Sequence, residues 1–269
     1  MLSKKKSNKL FCFCNGIIFI GMMLIFNNSL ANYDYLVEPI DKFEKVTEHD
    51  MSFDIVPVYE SEEDDSGFDI KTYTLDVLFT YGINDKMSVV FEAPYKYKYV
   101  QKKDEEILRR HSGLDDIGLY LTYKLYEKNN LAVSVAPKIT IPNGDYEHGI
   151  GNGRATYGLS FLASKNWNKI GVNSVFEYTR NENQIDNELN IWRISLMPNY
   201  QFSDKFSVRA GVRLEEDTNK ANPGKPLYLS AGFEYDFNDS ISIAPAFEWG
   251  FHKLEKDKIG SLWLSWKMD

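Results

Sequence analysis

From Met51 to the C-terminus, apolar and polar residues alternate with a period of two, and this alternation limits the chain to strands. "GLYLTYKLYEKNNLAVSVAPKITIPNGD", Gly118 to Asp145, shows the pattern twice, once on each side of a small polar turn. Strands are expected over Met51–Tyr59, Phe68–Tyr81, Lys86–Tyr99, Leu114–Tyr126, Leu131–Pro142 and Ala155–Lys165. The second half adds Ile170–Arg180, Glu188–Phe202, Phe206–Glu215, Leu227–Phe237, Ser240–Phe251 and Ile259–Met268. No helical periodicity of comparable length competes, and no linker divides the set.

The connections fall into two kinds that alternate. "IND", "EKNN", "NWN", "SDK" and "ND" are tight turns, whereas "ESEEDDSG", "VQKKDEEILRRHSG", "NGDYEHGIGNGR", "NENQID", "EDTNKANPGK" and "HKLEKDK" are long polar loops. Short turns facing the periplasm and long loops facing outside are the pattern of a transmembrane antiparallel up-and-down β-barrel. Six loops and five turns join about 12 strands and leave both termini periplasmic, as in bacterial single-chain barrels.

Residue types then assign the faces. Leu119, Leu121, Tyr123 and Leu125 oppose Gly118, Tyr120, Thr122 and Lys124; Leu229, Ala231, Phe233, Tyr235 and Phe237 oppose Ser230, Gly232, Glu234 and Asp236. The apolar face is too rich in aromatics for the inside of a small barrel. Its aromatics gather near strand ends, at Tyr95, Tyr97, Tyr99, Phe202, Phe206, Phe237, Trp249, Phe251 and Trp266, where two lipid interfaces would place them. The apolar face is therefore expected to meet lipid. Pro94, Pro137, Pro198 and Pro245 fall inside expected strands, where a missing N–H predicts breaks in pairing.

Residues 1–31 are set apart. "MLSKKKSNKL" carries four lysines and no acid, "FCFCNGIIFIGMMLIF" is apolar, and "NNSLA" ends in small residues, which is the pattern of a cleaved secretory signal. Both cysteines lie there, so the exported chain has no disulfide. Loss of four lysines takes the net charge from −8 to −12, which argues against nucleic acid as a partner. Residues 32–50 read as a periplasmic extension or a plug, and residues 51–269 as the barrel.

"LFTYGINDKMSVVFEAPY", "SGLDDIGLYLTYKLYE", "LAVSVAPKITIPNGD" and "ATYGLSFLASKNW" resemble successive hairpins of the outer-membrane barrel family labelled as transporters of the phenol meta-cleavage pathway. The resemblance runs from about Phe68 to the C-terminus; its most specific pieces are Ser112-Gly113-Leu114-Asp115-Asp116 and Pro142-Asn143-Gly144-Asp145. It implies a barrel in the bacterial outer membrane and a transport role. The chain departs from the usual terminal aromatic of such barrels by ending Leu264-Ser265-Trp266-Lys267-Met268-Asp269.

Function is sought on the polar face. Candidates for lining a lumen and meeting solute are Glu92, Lys96, Lys124, Lys138, Glu177, Arg193, Arg209, Arg213, Glu234 and Glu248. Arg193, Arg209 and Arg213 lie on adjacent expected strands and could form a basic ladder for a carboxylate or phosphate. Alternatively, Arg and Glu pair and brace the wall, since twelve strands fall between a filled barrel and an open channel. His111, His148 and His252 lie in or beside outer loops, without a metal-binding spacing. His111-Ser112 invites a lipid-hydrolase reading but lacks a nucleophile elbow. "GIGNGR", Gly149 to Arg154, lacks the context of a phosphate loop and reads as a flexible surface loop. "ESEEDDSG" lacks the ligand spacing of a calcium loop and reads as a solvated outer tip near lipopolysaccharide.

The leading expectation is passive passage of a small solute, aromatic or anionic, through a charged lumen, with no catalytic residues, no metal and no cofactor. The expected partners are outer-membrane lipid, lipopolysaccharide, the barrel-assembly machinery and the solute. The alternatives are a non-conducting structural or adhesion barrel and an outer-membrane lipid hydrolase.

Overall fold

The computed structural model describes residues 48–63, 68–102, 107–216, 224–251 and 258–268. The expected leader and most of the 32–50 segment lie outside the described residues, as do Asp64, Asp65 and His252. No helix among the described residues is long and apolar enough to cross a membrane. Strands would have to do so.

The strands are β1 (Met51–Glu63), β2 (Phe68–Asn84), β3 (Met87–Lys102), β4 (Ile107–Leu114), β5 (Ile117–Lys128), β6 (Leu131–Ile141) and β7 (Thr156–Trp167). They continue with β8 (Ile170–Arg180), β9 (Asn190–Ser203), β10 (Phe206–Glu215), β11 (Leu227–Asp236), β12 (Ile241–Gly250) and β13 (Lys258–Met268). Neighbours in sequence pair antiparallel except β4 with β5, and β13 pairs with β1 to close the sheet. Both β4 and β5 pair with β3, so they form one stave interrupted at Asp115–Asp116, and the barrel has 12 staves. One expectation needs correction here. Residues 60–63, 100–102 and 107–113, expected in long polar loops, belong instead to β1, β3 and β4 and lengthen the staves.

The prolines account for part of the irregularity in the wall; register shifts also occur at Gly82/Asn84, Val100/Gln101, Lys124/Tyr126 and Phe206/Ser207. Pro137 pairs with Leu159 across the β6–β7 ladder, but the β5–β6 ladder skips from Tyr120↔Lys138 to Tyr123↔Val135. Pro198 keeps its place opposite Val172 while the β9–β10 ladder skips from Asn199 to Leu196. Pro245 keeps its place opposite Leu262 while β11–β12 skips from Ala246 to Ile243. Pro94 stays opposite Asp76, and its other flank is where β4 gives way to β5. Proline has no N–H to donate, so each interrupts one ladder and leaves the other intact.

The faces divide as the side chains dictate. Phe91, Leu119, Phe161, Phe176, Leu196 and Phe233 are all exposed, and no soluble fold of this size would expose such a continuous apolar belt. Trp167, Phe202, Phe237 and Trp266 ring the end bearing the tight turns and both described termini; Tyr95, Tyr157, Tyr178 and Trp249 ring the other. With 10 to 17 residues in the staves other than the interrupted one, the strands are long enough to cross a bilayer at a tilt. Positive φ at Asn129 and Asn130 marks the tight turn between β5 and β6.

The inward face is not uniformly polar. Val56, Val58, Leu78, Val90, Tyr228, Ala244, Ile259 and Trp263 pack together inside the wall formed by β11–β13 and β1–β3. A smaller group, Ala136, Leu162 and Met197, lies across the barrel. Strict alternation conceals this, because an inward-facing Trp263 sits between outward-facing Leu262 and Leu264 and the segment reads as apolar on both sides.

Candidate functional site

The interior charges are arranged in a girdle and two cavities. The girdle begins with Glu177, Arg193 and Glu215, which are directly paired across β8, β9 and β10. Arg193 Nε donates to Glu215 Oε2 at 2.7 Å, and its guanidinium lies 3.6 Å from Glu177. Arg213, two residues before Glu215, also donates to that carboxylate and reaches over β11 to Glu248 Oε2, with Nη2 at 2.8 Å. Its guanidinium rests on the Tyr228 ring, 4.0 Å from the centroid. All the charged members are buried. Burying ions away from water is costly unless each finds a partner, and here two guanidiniums are shared among three carboxylates. Arg193 and Arg213 therefore stand in mutual ion pairs with Glu177, Glu215 and Glu248, the bracing arrangement, rather than as a bare basic ladder. Arg209 is inward-facing on β10, nearer the tight-turn end, and carries interactions of its own.

The outer cavity lies under the long loops and has a volume of about 280 Å³. Glu92, Lys96, Lys138, Glu177 and Arg193 of the expected residues line it. Lys96 pairs with Asp115, Glu92 accepts a hydrogen bond from the Tyr120 hydroxyl, and Lys138 Nζ lies 5.2 Å from the Tyr120 ring centroid. The inner cavity, about 350 Å³, opens at the tight-turn end beside both described termini. Glu234 lines it, together with Asp54, Asp236 and Lys205; Lys267 pairs there with Asp50 at 3.0 Å. Lys124 sits low on β5 and binds Glu127 at 3.0 Å. The ten expected residues are thus divided among the girdle, the two cavities, Arg209 and the foot of β5, and do not form one site.

Asp116, passed over as a solute-facing candidate, organises the outer end. Its Oδ1 accepts the backbone N–H groups of Asn143 and Gly144, both at 3.1 Å, and its Oδ2 accepts that of Asn152 at 2.8 Å. One buried carboxylate thereby ties both ends of the loop between β6 and β7 to the broken stave. Gly151, at φ 80°, passes so close to Asp116 that a Cβ would collide with the carboxylate. "GIGNGR" is accordingly an anchored, inward-folded loop, not a flexible surface one. Its Gly149 and Gly151 line the outer cavity, and Ile150 is fully buried. Gln184 from the next loop donates through its backbone N–H to Asn152 O and through Nε2 to Gly153 O, at 2.8 and 2.7 Å. The two sequence pieces that carried the resemblance, "SGLDD" and "PNGD", meet in this tie.

The remaining candidates separate. His111 and His148 stack with centroids 4.3 Å apart, and His148 Nδ1 lies 2.6 Å from Asp145 Oδ2, a hydrogen bond that holds the Asp145 carboxyl below the usual carboxylate range. No group of three or more residues suited to a metal ion occurs among the described residues. His111 lies opposite inward-facing Lys98 and Ser112 opposite outward-facing Tyr97, so this pair points to opposite sides of the wall. No proton relay can join them in that geometry.

Comparison with known structures bears on the fold. An outer membrane channel from Pseudomonas putida F1 superposes with a TM-score of 0.72 at 14% identity, covering 87% of this chain and 100% of that one. The β domain of the Bordetella autotransporter BrkA gives 0.55 at 9% identity, with 82% and 100% covered. The NanC porin gives 0.50 at 9% identity, with 79% and 97% covered. A channel, an autotransporter domain and a porin share this architecture, so the likeness identifies the fold and not a cargo. No curated protein sequence matches the chain. Residues 58–268 match the family model described as "Putative MetA-pathway of phenol degradation", and the chain is a member of that family, a 12-stave β-barrel of the bacterial outer membrane.

Proposed function

We propose that the barrel passes small solutes passively between the outside and the periplasm, selecting them by the polar groups of its outer cavity. The observation that carries this reading is the outer cavity itself, a polar space of about 280 Å³ inside a lipid-embedded wall, bounded by a loop that the chain folds inward. A polar lining inside an apolar exterior is the arrangement by which barrels admit solutes that lipid excludes. The similarity to an outer membrane channel supports it through the fold. On this reading the apolar belt contacts lipid, lipopolysaccharide surrounds the outer rim, and β13 is the strand presented to the assembly machinery.

A second reading is a non-conducting structural barrel. It is favoured by the buried Arg–Glu girdle and by the apolar packing around Trp263, which fill part of the interior between the two cavities. Planar-bilayer recording of the purified protein separates the two. Stepwise conductance in potassium chloride supports passage, and its absence in repeated insertions across salts assigns the barrel a structural role.

A further inference from the structure

We infer that the outer cavity is a recognition site for a small, neutral, polyhydroxylated solute of sugar-like chemistry, and not for an aromatic one. This inference rests on the passage reading above and names the class of solute within it. Its first ground is what lines the cavity. Thr72, Thr74, Thr140, Thr156 and Thr179 supply five hydroxyls, and Asn152, Asn181 and Asn187 supply three carboxamides. Among the described residues, Phe, Tyr and Trp contribute nothing to the lining, and its larger apolar members are Pro94, Ile185 and Ile191. Sites for aromatic rings are walled by aromatic and aliphatic surface with a few polar groups. Here the proportions are reversed: Tyr228 and Trp263 are packed in the wall, and the interior Tyr120 is held by Glu92, to which its hydroxyl donates.

The second ground is charge. Four cationic side chains, Lys96, Lys98, Lys138 and Arg193, face four carboxylates, Glu92, Asp115, Asp116 and Glu177. Lys96 is held by Asp115, Arg193 by Glu177 and Glu215, and Asp116 by backbone N–H groups. A net anion or cation therefore meets a compensated field and must disrupt existing pairs to gain a partner. A neutral hydroxylated solute exchanges hydrogen bonds with water for hydrogen bonds with threonine and asparagine at little electrostatic cost.

Size is consistent with this class. A cavity of about 280 Å³ takes a single monosaccharide-sized molecule, not a long oligomer in one piece.

The test uses the whole barrel in planar bilayers and in proteoliposomes, with glucose and benzoate as probes at equal concentration. Glucose is expected to lower the single-channel potassium chloride conductance reversibly and to swell the proteoliposomes, and benzoate to have the smaller effect on conductance. Thr179→Val, at a half-buried lining hydroxyl, is expected to weaken the apparent glucose affinity about fivefold, the weight of one net hydrogen bond. A larger effect of benzoate than of glucose overturns the inference in favour of an aromatic or anionic solute. Channels that conduct salt but ignore glucose overturn it while passage stands. Absence of both conductance and swelling overturns the passage reading and this inference together.

Discussion

Asp116 Oδ2 accepts the backbone N–H of Asn152 at 2.8 Å across 36 positions of sequence, joining the break in a barrel stave to the far end of an outer loop. The same carboxylate accepts Asn143 and Gly144 through its other oxygen, so one side chain fixes a loop of fourteen residues, 142–155, at both ends. A carboxylate accepting several backbone N–H groups is a strong local tie, because charge-assisted bonds exceed neutral ones. Asp116→Ala removes both acceptor oxygens and all three hydrogen bonds at once, and leaves three donors to find water. The expected outcome is a loop released from the cavity, read as faster proteolytic cleavage within 142–155 and as larger, noisier conductance. Asp116→Asn, which retains one acceptor oxygen, should fall between.

The girdle makes a different prediction. Arg213 holds Glu215 and Glu248, and both carboxylates are buried. Arg213→Ala strands the buried Glu248 carboxylate and leaves Glu215 to Arg193 alone, a loss on the order of 3–5 kcal/mol. Heat-modifiable gel migration should show the variant unfolding at a clearly lower temperature than the parent barrel. Arg213→Met combined with Glu248→Gln should recover much of that loss, because the uncompensated charge is then gone while Glu215 keeps Arg193.

These two features differ in how far the sequence reveals them. Alternation and turn spacing are local properties, so 12 staves, the lipid face and the aromatic rings can be read from Leu119, Phe161 or Trp266 and their neighbours. The four prolines can be read too, since a missing N–H interrupts a ladder whatever surrounds it. Pairing inside the lumen is another matter. Arg213 reaches Glu248 across 35 positions and over an intervening strand, and only barrel closure determines which strands face each other. Asp116 was visible as part of "SGLDD", but the backbone amides it holds carry no residue-specific signal. The apolar inward patch around Trp263 escaped because its members come from six strands at the two ends of the sequence, and only barrel closure brings them together.

Asp145 provides a pH prediction. Its carboxyl is held below the ordinary value by the His148 hydrogen bond, so the contact contributes above the usual carboxylate range and is lost as pH falls through the lowered value. Both groups are half exposed, so the effect is confined to the loop. Carboxyl-selective NMR titration should find the Asp145 midpoint low in the parent protein and back at the ordinary value in His148→Asn. A titration unchanged by that substitution would show that the contact is not made in solution.

The assignment of faces can be tested at one strand. Phe161 and Ser160 are adjacent at the middle of β7, with Phe161 exposed to lipid and Ser160 turned inward opposite Glu177. Arginine at a lipid-facing position near the bilayer midplane costs about 2–4 kcal/mol, whereas arginine in a wet lumen beside a carboxylate costs far less. Phe161→Arg should therefore lower the yield of folded barrel in lipid and reduce its resistance to urea, while Ser160→Arg folds and changes conductance instead. If the barrel were a secreted soluble protein with its apolar face inside, the two substitutions would exchange effects. Urea titration of both variants in the same vesicles, followed by gel migration, distinguishes these outcomes without any assumption about the solute.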